Sequence, residues 1–188
     1  MMYKIGIFYL LFCQSAYSQE VVDFKERLKA RFFSQNNNWH SVVMMEELNI
    51  ERNNEITWRN DSESYMIEIE FEPNGASEFG VKVLLNEKLN QAAIVGYQLN
   101  SEHLFINSLN IGKADSVNAV GMFVTPMKID RGRVKMQVFV DKTSVEVFGN
   151  DGEASVMSRV FPKENTTDWQ IFSNGRVKVM KLIVWELK

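Results

Sequence analysis

The run Val134-Lys135-Met136-Gln137-Val138-Phe139-Val140-Asp141-Lys142-Thr143-Ser144-Val145-Glu146-Val147-Phe148-Gly149-Asn150-Asp151-Gly152-Glu153-Ala154-Ser155-Val156-Met157-Ser158-Arg159-Val160-Phe161-Pro162 reads as three short strands joined by two tight turns. From Val134 to Val138 apolar and polar residues alternate, the period that sends successive side chains to opposite faces of a sheet. Asp141-Lys142-Thr143 breaks the alternation with a polar reversal, after which Val145 and Val147 resume it. Asn150-Asp151-Gly152 marks a second reversal, because Asp-Gly tolerates the positive φ that tight turns require. Asp141, Ser144 and Glu146 lie inside this meander with few evident structural duties.

Outward from that stretch the same rhythm continues. Met66, Glu68 and Glu70 alternate with Ile67, Ile69 and Phe71, which puts carboxylates on one face of a strand and apolar side chains on the other. Pro73-Asn74-Gly75 then signals a turn. Strand-like segments recur at 39–45, 55–58, 65–71, 81–85, 92–99, 104–109, 119–124, 134–140, 145–148, 154–160, 169–172 and 177–187. No helical pattern intervenes among those from Tyr65 onward, so the expected fold is all-β, an antiparallel sandwich of two sheets with jelly-roll or concanavalin-like architecture. In the last segment Val177 and Val179 are followed on the same parity by Lys181. A bulge near Met180 and Lys181 is expected there, restoring the core face for Ile183, Trp185 and Leu187.

The beginning of the chain has a different character. Lys4, the apolar run Ile5 to Phe12 and Ala16-Tyr17-Ser18 form a secretory signal pattern cut after Ser18, placing the protein in the periplasm or outside the cell. Phe12 before Cys13 argues against a lipid anchor, which wants a small residue there. Val21, Phe24, Leu28 and Phe32 then recur at helical spacing and predict a short amphipathic helix. The expected organisation is a signal peptide at 1–18, a helix and linker-like extension at 19–60, and a sandwich at 61–188.

Composition narrows the chemistry. Removing residues 1–18 removes the single cysteine and Lys4, and the formal charge of −3 falls to −4. A cysteine-free, mildly acidic chain offers no disulfide framework or thiolate metal site, and no basic stripe for nucleic acid or an anionic membrane surface. Neither nucleic acid nor membrane insertion is expected. The two histidines, His40 and His103, stand in no ligand-spaced motif, so no metal or cofactor is expected. Gly-x-Ser-x-Gly elbows and glycine-rich phosphate loops are absent from the sequence. Among the carboxylates, Glu68, Glu70 and Glu72 make a solvated strand face, Glu78 opens a strand beside Phe79-Gly80, and Asp141 and Glu146 flank a turn. Asp141 has an equally good structural reading, accepting backbone N–H bonds from Thr143 or Ser144. Sugar binding needs planar polar groups and an aromatic face. Trp169, after the polar 163–168 loop, is the aromatic residue best placed for exposure, although the core is its stronger reading, and Trp185 reads as core.

The run Phe139 to Phe148, then Asn150-Asp151-Gly152-Glu153-Ala154, Arg159-Val160-Phe161-Pro162 and Leu182-Ile183-Val184-Trp185-Glu186-Leu187, resembles the C-terminal β-sandwich of glycoside hydrolase family 32. Ile67 to Phe71, Ala76 to Val83, Gly96-Tyr97 and Leu104-Phe105-Ile106 extend the likeness from about Tyr65 to Lys188. The resemblance implies a relative of levanases, inulinases and invertases. It also implies no catalytic residue here, because that family's acids belong to a separate N-terminal propeller whose signatures, such as Arg-Asp-Pro, do not occur in this sequence. A secreted, non-catalytic module for fructan or a related glycan is the expected function, with Glu78, Asn107, Asp141, Glu146, Arg159 and Trp169 as candidate sugar contacts. The alternatives are an accessory or truncated part of a fructosidase that needs a separate propeller chain, and a structural or adhesion module indifferent to sugar. Two departures bear on the site. Asn107-Ser108 stands where the family usually has Asp-Arg, and Lys142 replaces the usual Arg, exchanging a planar fork for a point charge.

Overall fold

A computed structural model describes residues 39–52, 55–111, 121–164 and 166–187. The signal pattern and the amphipathic helix of the sequence reading lie outside the described residues. Among the described residues there are twelve strands and two single 3₁₀ turns, at Glu87–Leu89 and Asn150–Gly152. The strands are β1 (Trp39–Ile50), β2 (Ile56–Arg59), β3 (Tyr65–Pro73), β4 (Glu78–Asn86), β5 (Gln91–Gln98), β6 (His103–Asn107), β7 (Met122–Pro126), β8 (Val134–Asp141), β9 (Ser144–Gly149), β10 (Ala154–Arg159), β11 (Asp168–Ser173) and β12 (Val177–Leu187).

They form two six-stranded sheets, ordered β1-β12-β3-β8-β9-β10 and β2-β11-β4-β5-β6-β7, and every named pairing is antiparallel. The alternation in β3 explains why the first sheet has one dry face. Tyr65, Ile67, Ile69 and Phe71 are fully buried, while Glu68 and Glu70 lie on the other side and meet Lys181 at 2.7 Å and Arg133 at 3.3 Å. β8 and β9 repeat the pattern with Val134, Met136, Val138, Val145 and Val147. Fully burying an aliphatic or Phe side chain stabilises by about 1.5–3 kcal/mol, so these rows are what hold the two sheets face to face. From the second sheet, Phe79 and Tyr97 extend the core aromatic line of Phe71, with ring centroids 5.1 and 5.9 Å apart.

Three expectations need correction. The extension at 19–60 is not separate from the sandwich in its described part, since β1 is an edge strand of the first sheet and β2 an edge strand of the second. The bulge in β12 is present, with a register shift between Val179 and Lys181, but its consequence is the opposite of the one expected. One inserted residue changes the parity, so the core face after the bulge is Leu182, Val184 and Glu186. Ile183 and Trp185 stand on the outer face. Trp169, named as a candidate sugar contact although the core was its stronger reading, is fully buried: it stacks on Trp58 at 4.4 Å and donates from Nε1 to Asn60 Oδ1 at 3.2 Å. It faces inward because β11 pairs with β2 and β4 in a register that sends Trp169 and Ile171 to the core.

The second turn behaves as its residues predict, with Asn150, Asp151 and Gly152 all at positive φ. Asn150 holds it by accepting from Lys135 N and donating to Lys128 O.

Candidate functional site

Cross-strand register brings three of the sequence-named residues together. Asp141 closes β8 opposite Ser144, and Ser144 opens β9 opposite Arg159, which closes β10, so the three form one row across the first sheet. One step inward, Met66, Phe139, Glu146 and Met157 form the next row. Because Val138, Val140, Val145, Val147 and Ser158 face the core, both rows lie on the outer face. Glu146 is diagonal to Asp141 on one side and to Arg159 on the other, the relation in which Cβ atoms lie about 7–8 Å apart.

The partners of each group decide what it can do. Asp141 accepts from Ser64 Oγ at 2.7 Å, and that hydroxyl, with the Lys142 backbone N–H, holds its carboxyl below the ordinary aspartate range. The acceptance from Thr143 or Ser144 expected from sequence is therefore replaced by Ser64 and Lys142. Lys142 reaches away to Glu63 at 2.8 Å, which raises its pKa and occupies its charge. Arg159 lies with its guanidinium carbon 5.4 Å from the centre of the Phe161 ring, and among the described residues it makes no ion pair. Phe139 is 36% exposed and meets Phe148 edge-on at 5.7 Å, so one aromatic ring faces solvent beside Glu146.

An ionised acceptor, a second carboxylate, a planar donor fork, a hydroxyl and an exposed ring can hold a polyol with its C–H face on the ring. A glycosidase acid needs a raised pKa, and the Asp141 pKa is lowered, so Asp141 suits the part of an ionised acceptor rather than that of a proton donor. Among the described residues no three His, Cys, Asp or Glu side chains gather to hold a metal.

The remaining named residues lie elsewhere. Glu78 opens β4 at the far end of the second sheet, where its Oε2 accepts from Gln98 Nε2 at 3.2 Å. Asn107 closes β6, and its Oδ1 accepts from Leu109 N at 3.1 Å, a turn-building bond. Neighbouring Ser108 is fully buried and bonds Ser158 Oγ at 2.8 Å, tying the two sheets together. Phe139, Ser64 and Phe161 complete the cluster without having been singled out from sequence. Phe139 was legible, since it shares parity with Asp141, whereas Ser64 depends on the pairing of β3 with β8 across a long sequence gap.

Comparison with known proteins follows the same division between sandwich and enzyme. Residues 31–186 match the family described as "Glycosyl hydrolases family 32 C terminal". The chain is 37% identical over 132 residues to a levanase of Bacillus subtilis (strain 168), covering 67% of this chain and 19% of that protein. It is 26% identical over 116 residues to an extracellular exo-inulinase of Aspergillus awamori, covering 60% of this chain and 22% of the relative. The chain thus spans about a fifth of the length of these relatives. Among solved structures, fructan 1-exohydrolase IIa of Cichorium intybus superposes with a TM-score of 0.68 at 14% identity, covering 89% of this chain and 37% of the other. The Aspergillus awamori exo-inulinase superposes with a TM-score of 0.65 at 20% identity, covering 87% of this chain and 31% of that one. These structural likenesses establish the sandwich fold.

Proposed function

The chain belongs to the C-terminal β-sandwich family of the family 32 glycosyl hydrolases, and from that premise we propose that it is a secreted, non-catalytic module binding fructan or a related glycan. The observation that carries this reading is the convergence of Asp141, Ser144, Glu146 and Arg159 in two adjacent rows beside the exposed ring of Phe139. Arg159 supplies a planar fork for vicinal hydroxyls, Asp141 and Glu146 accept from hydroxyls, and Phe139 takes the C–H side of a ring. The levanase and exo-inulinase relatives point to fructose polymers as the first ligands to try, and the extracellular relative fits export.

Isothermal titration with levan, inulin and fructose tests the proposal. Binding of at least one is expected, and Arg159→Ala is expected to weaken it about 10- to 100-fold, the worth of a hydrogen bond to a charged group. Absence of heat with all three overturns the fructan reading.

A second reading follows from the family match itself, which is to the C-terminal part of glycosyl hydrolases. In that reading it serves as the accessory part of a fructosidase whose propeller is a separate chain. Adding a family 32 propeller and finding no complex and no gain in hydrolysis removes it.

A further inference from the structure

We propose that the outer face of the second sheet carries an additional binding site for a neutral saccharide, in a pocket of about 390 Å³ beside β4 and β5. This inference rests on the glycan-binding reading and adds a place to it. Lys82 on β4 stands opposite both Ile94 on β5 and Gln170 on β11, and these three form the floor together with Leu85 and Ala92. The wall is the turn from Asn86 to Gln91, and it is built rigidly. Asn86 Oδ1 accepts from Leu89 N, Asn90 sits in the left-handed region, and Gln91 is 2% exposed with its amide bonded to Leu84 O, Glu164 O and Lys163 N.

The groups that remain available define the ligand. Gln170 is only 3% exposed, with its amide nitrogen on Thr57 Oγ1 at 3.0 Å, and its Oε1 has no hydrogen-bond partner among the described residues. Asn90 and Asn110 present exposed amides at the rim. Lys82 Nζ is paired with Glu55 Oε1 at 2.6 Å, so the one cation among the described lining residues is neutralised while two of its N–H groups remain to donate, and the exposed Glu87 adds a carboxylate that can accept from hydroxyls. A pocket without an uncompensated cation does not suit phosphate or carboxylate ligands. None of the described lining residues is aromatic, so the pocket does not suit a stacked base, and a sugar ring there lays its C–H side on Leu85, Ala92 and Ile94 in place of the aromatic face offered by Phe139. Amide donors and acceptors over a small aliphatic floor suit a neutral polyhydroxylated ring, and the volume lies within the usual range of about 300–1,000 Å³ for small-ligand sites. The two outer faces are separated by the packed core, with sheets about 10 Å apart, so a short sugar cannot reach both. The protein would hold two glycan segments at once and gain avidity on a polymer.

The test is an amide NMR titration of the chain with short levan- and inulin-type oligosaccharides, repeated on the double variant Asn90→Gly with Asn110→Ala. Glycine suits the left-handed position of Asn90, and both side chains are exposed, so the variant spectrum itself reports an intact fold. Two independent sets of shifts are expected, one around Phe139, Glu146 and Arg159 and one around Lys82, Ile94 and Gln170, with the second weakened about ten-fold in the double variant. Shifts confined to the first set overturn this inference and leave the glycan reading standing. Shifts confined to the second set support the pocket and remove the Asp141 cluster as the site. No shifts at either place overturn both.

Discussion

Replacing Trp169 by Phe separates a binding platform from a core residue, because the two roles predict opposite outcomes. In the structure the indole is fully buried, stacked on Trp58 at 4.4 Å, and bonded to Asn60 Oδ1 at 3.2 Å, while Asn60 is itself 4% exposed. Phenylalanine keeps part of the stack and deletes the donor. Leaving a buried acceptor unsatisfied costs about 1–3 kcal/mol. The space lost between an indole and a phenyl ring, about 40 Å³, adds about 1 kcal/mol at about 24 cal/mol per Å³ of residual cavity. The expected loss is therefore about 2–4 kcal/mol, and at about 2–4 °C per kcal/mol for a chain of this size the melting temperature falls by roughly 5–15 °C. Urea denaturation with an unchanged m-value measures the first quantity and thermal melting the second. Affinity for fructan, measured well below the melting range, is expected to stay within two-fold or so of the parent. A variant with unchanged stability and lost binding would refute the burial argument.

Three further outcomes follow from individual contacts. Glu186 is buried on the core side of β12 and accepts from Asp61 N at 2.9 Å, and burial, with the nearby Asp61 charge, raises its pKa. Its stabilising contribution is thus present below the ordinary glutamate value of about 4.3 and is lost as pH rises through the raised folded value. Glu186→Gln keeps the acceptor without the charge, so chemical denaturation is expected to show a more stable variant at about pH 7.5 and no gain at about pH 4. Ser64→Ala removes the hydroxyl that lowers Asp141; carboxyl NMR titration is expected to show the Asp141 pKa moving up toward its ordinary value, with acid-side stability lost at higher pH than in the parent. Gly80→Ala would drive a Cβ into Val95 O and within 2.6 Å of Gly96 Cα, backbone atoms that cannot yield, and should cost at or above the upper end of the about 1–3 kcal/mol of overpacking, read as a collapse in soluble yield or a shifted urea midpoint.

How far the sequence could be read depended on whether the signal was local. Strand existence was local: the alternation in 65–71 and 134–148 appears in β3, β8 and β9 with the expected residues inside. The bulge in β12 was also local, since Lys181 could not stay on the parity of Val177 and Val179, yet its outcome was not. Whether Ile183 and Trp185 or Leu182 and Val184 face inward depends on which residues of β3 they meet, and the ladder sets Leu182 against Ile69 and Val184 against Ile67. Trp169 failed for the same reason. A polar loop before it suggested exposure, but pairing between β11 and β2 aligned it with Trp58, and only that long-range register makes it core. β1 and β2 read as an extension because nothing in 39–59 announces which sheet edge each one closes.

The site follows the same logic, and this is why half of it was recoverable. Asp141, Glu146 and Arg159 were named for their chemistry and their closeness in sequence. A three-stranded meander joined by tight turns has little freedom but to place neighbours of equal parity side by side on one face. Glu78 and Asn107 were named on the same chemical grounds but lie in the second sheet, so no turn ties them to the meander, and the fold puts them on the other outer face. The pocket formed by Lys82, Asn90, Asn110 and Gln170 draws on one hairpin, a loop and a strand separated by up to 88 residues of chain. Amides there carry no motif, since each is an ordinary turn or strand residue until β11 pairs with β4. A single-sequence reading therefore finds sites within a hairpin and misses sites assembled across a sheet, so the titration that compares the two faces also tests whether the legible site is the working one.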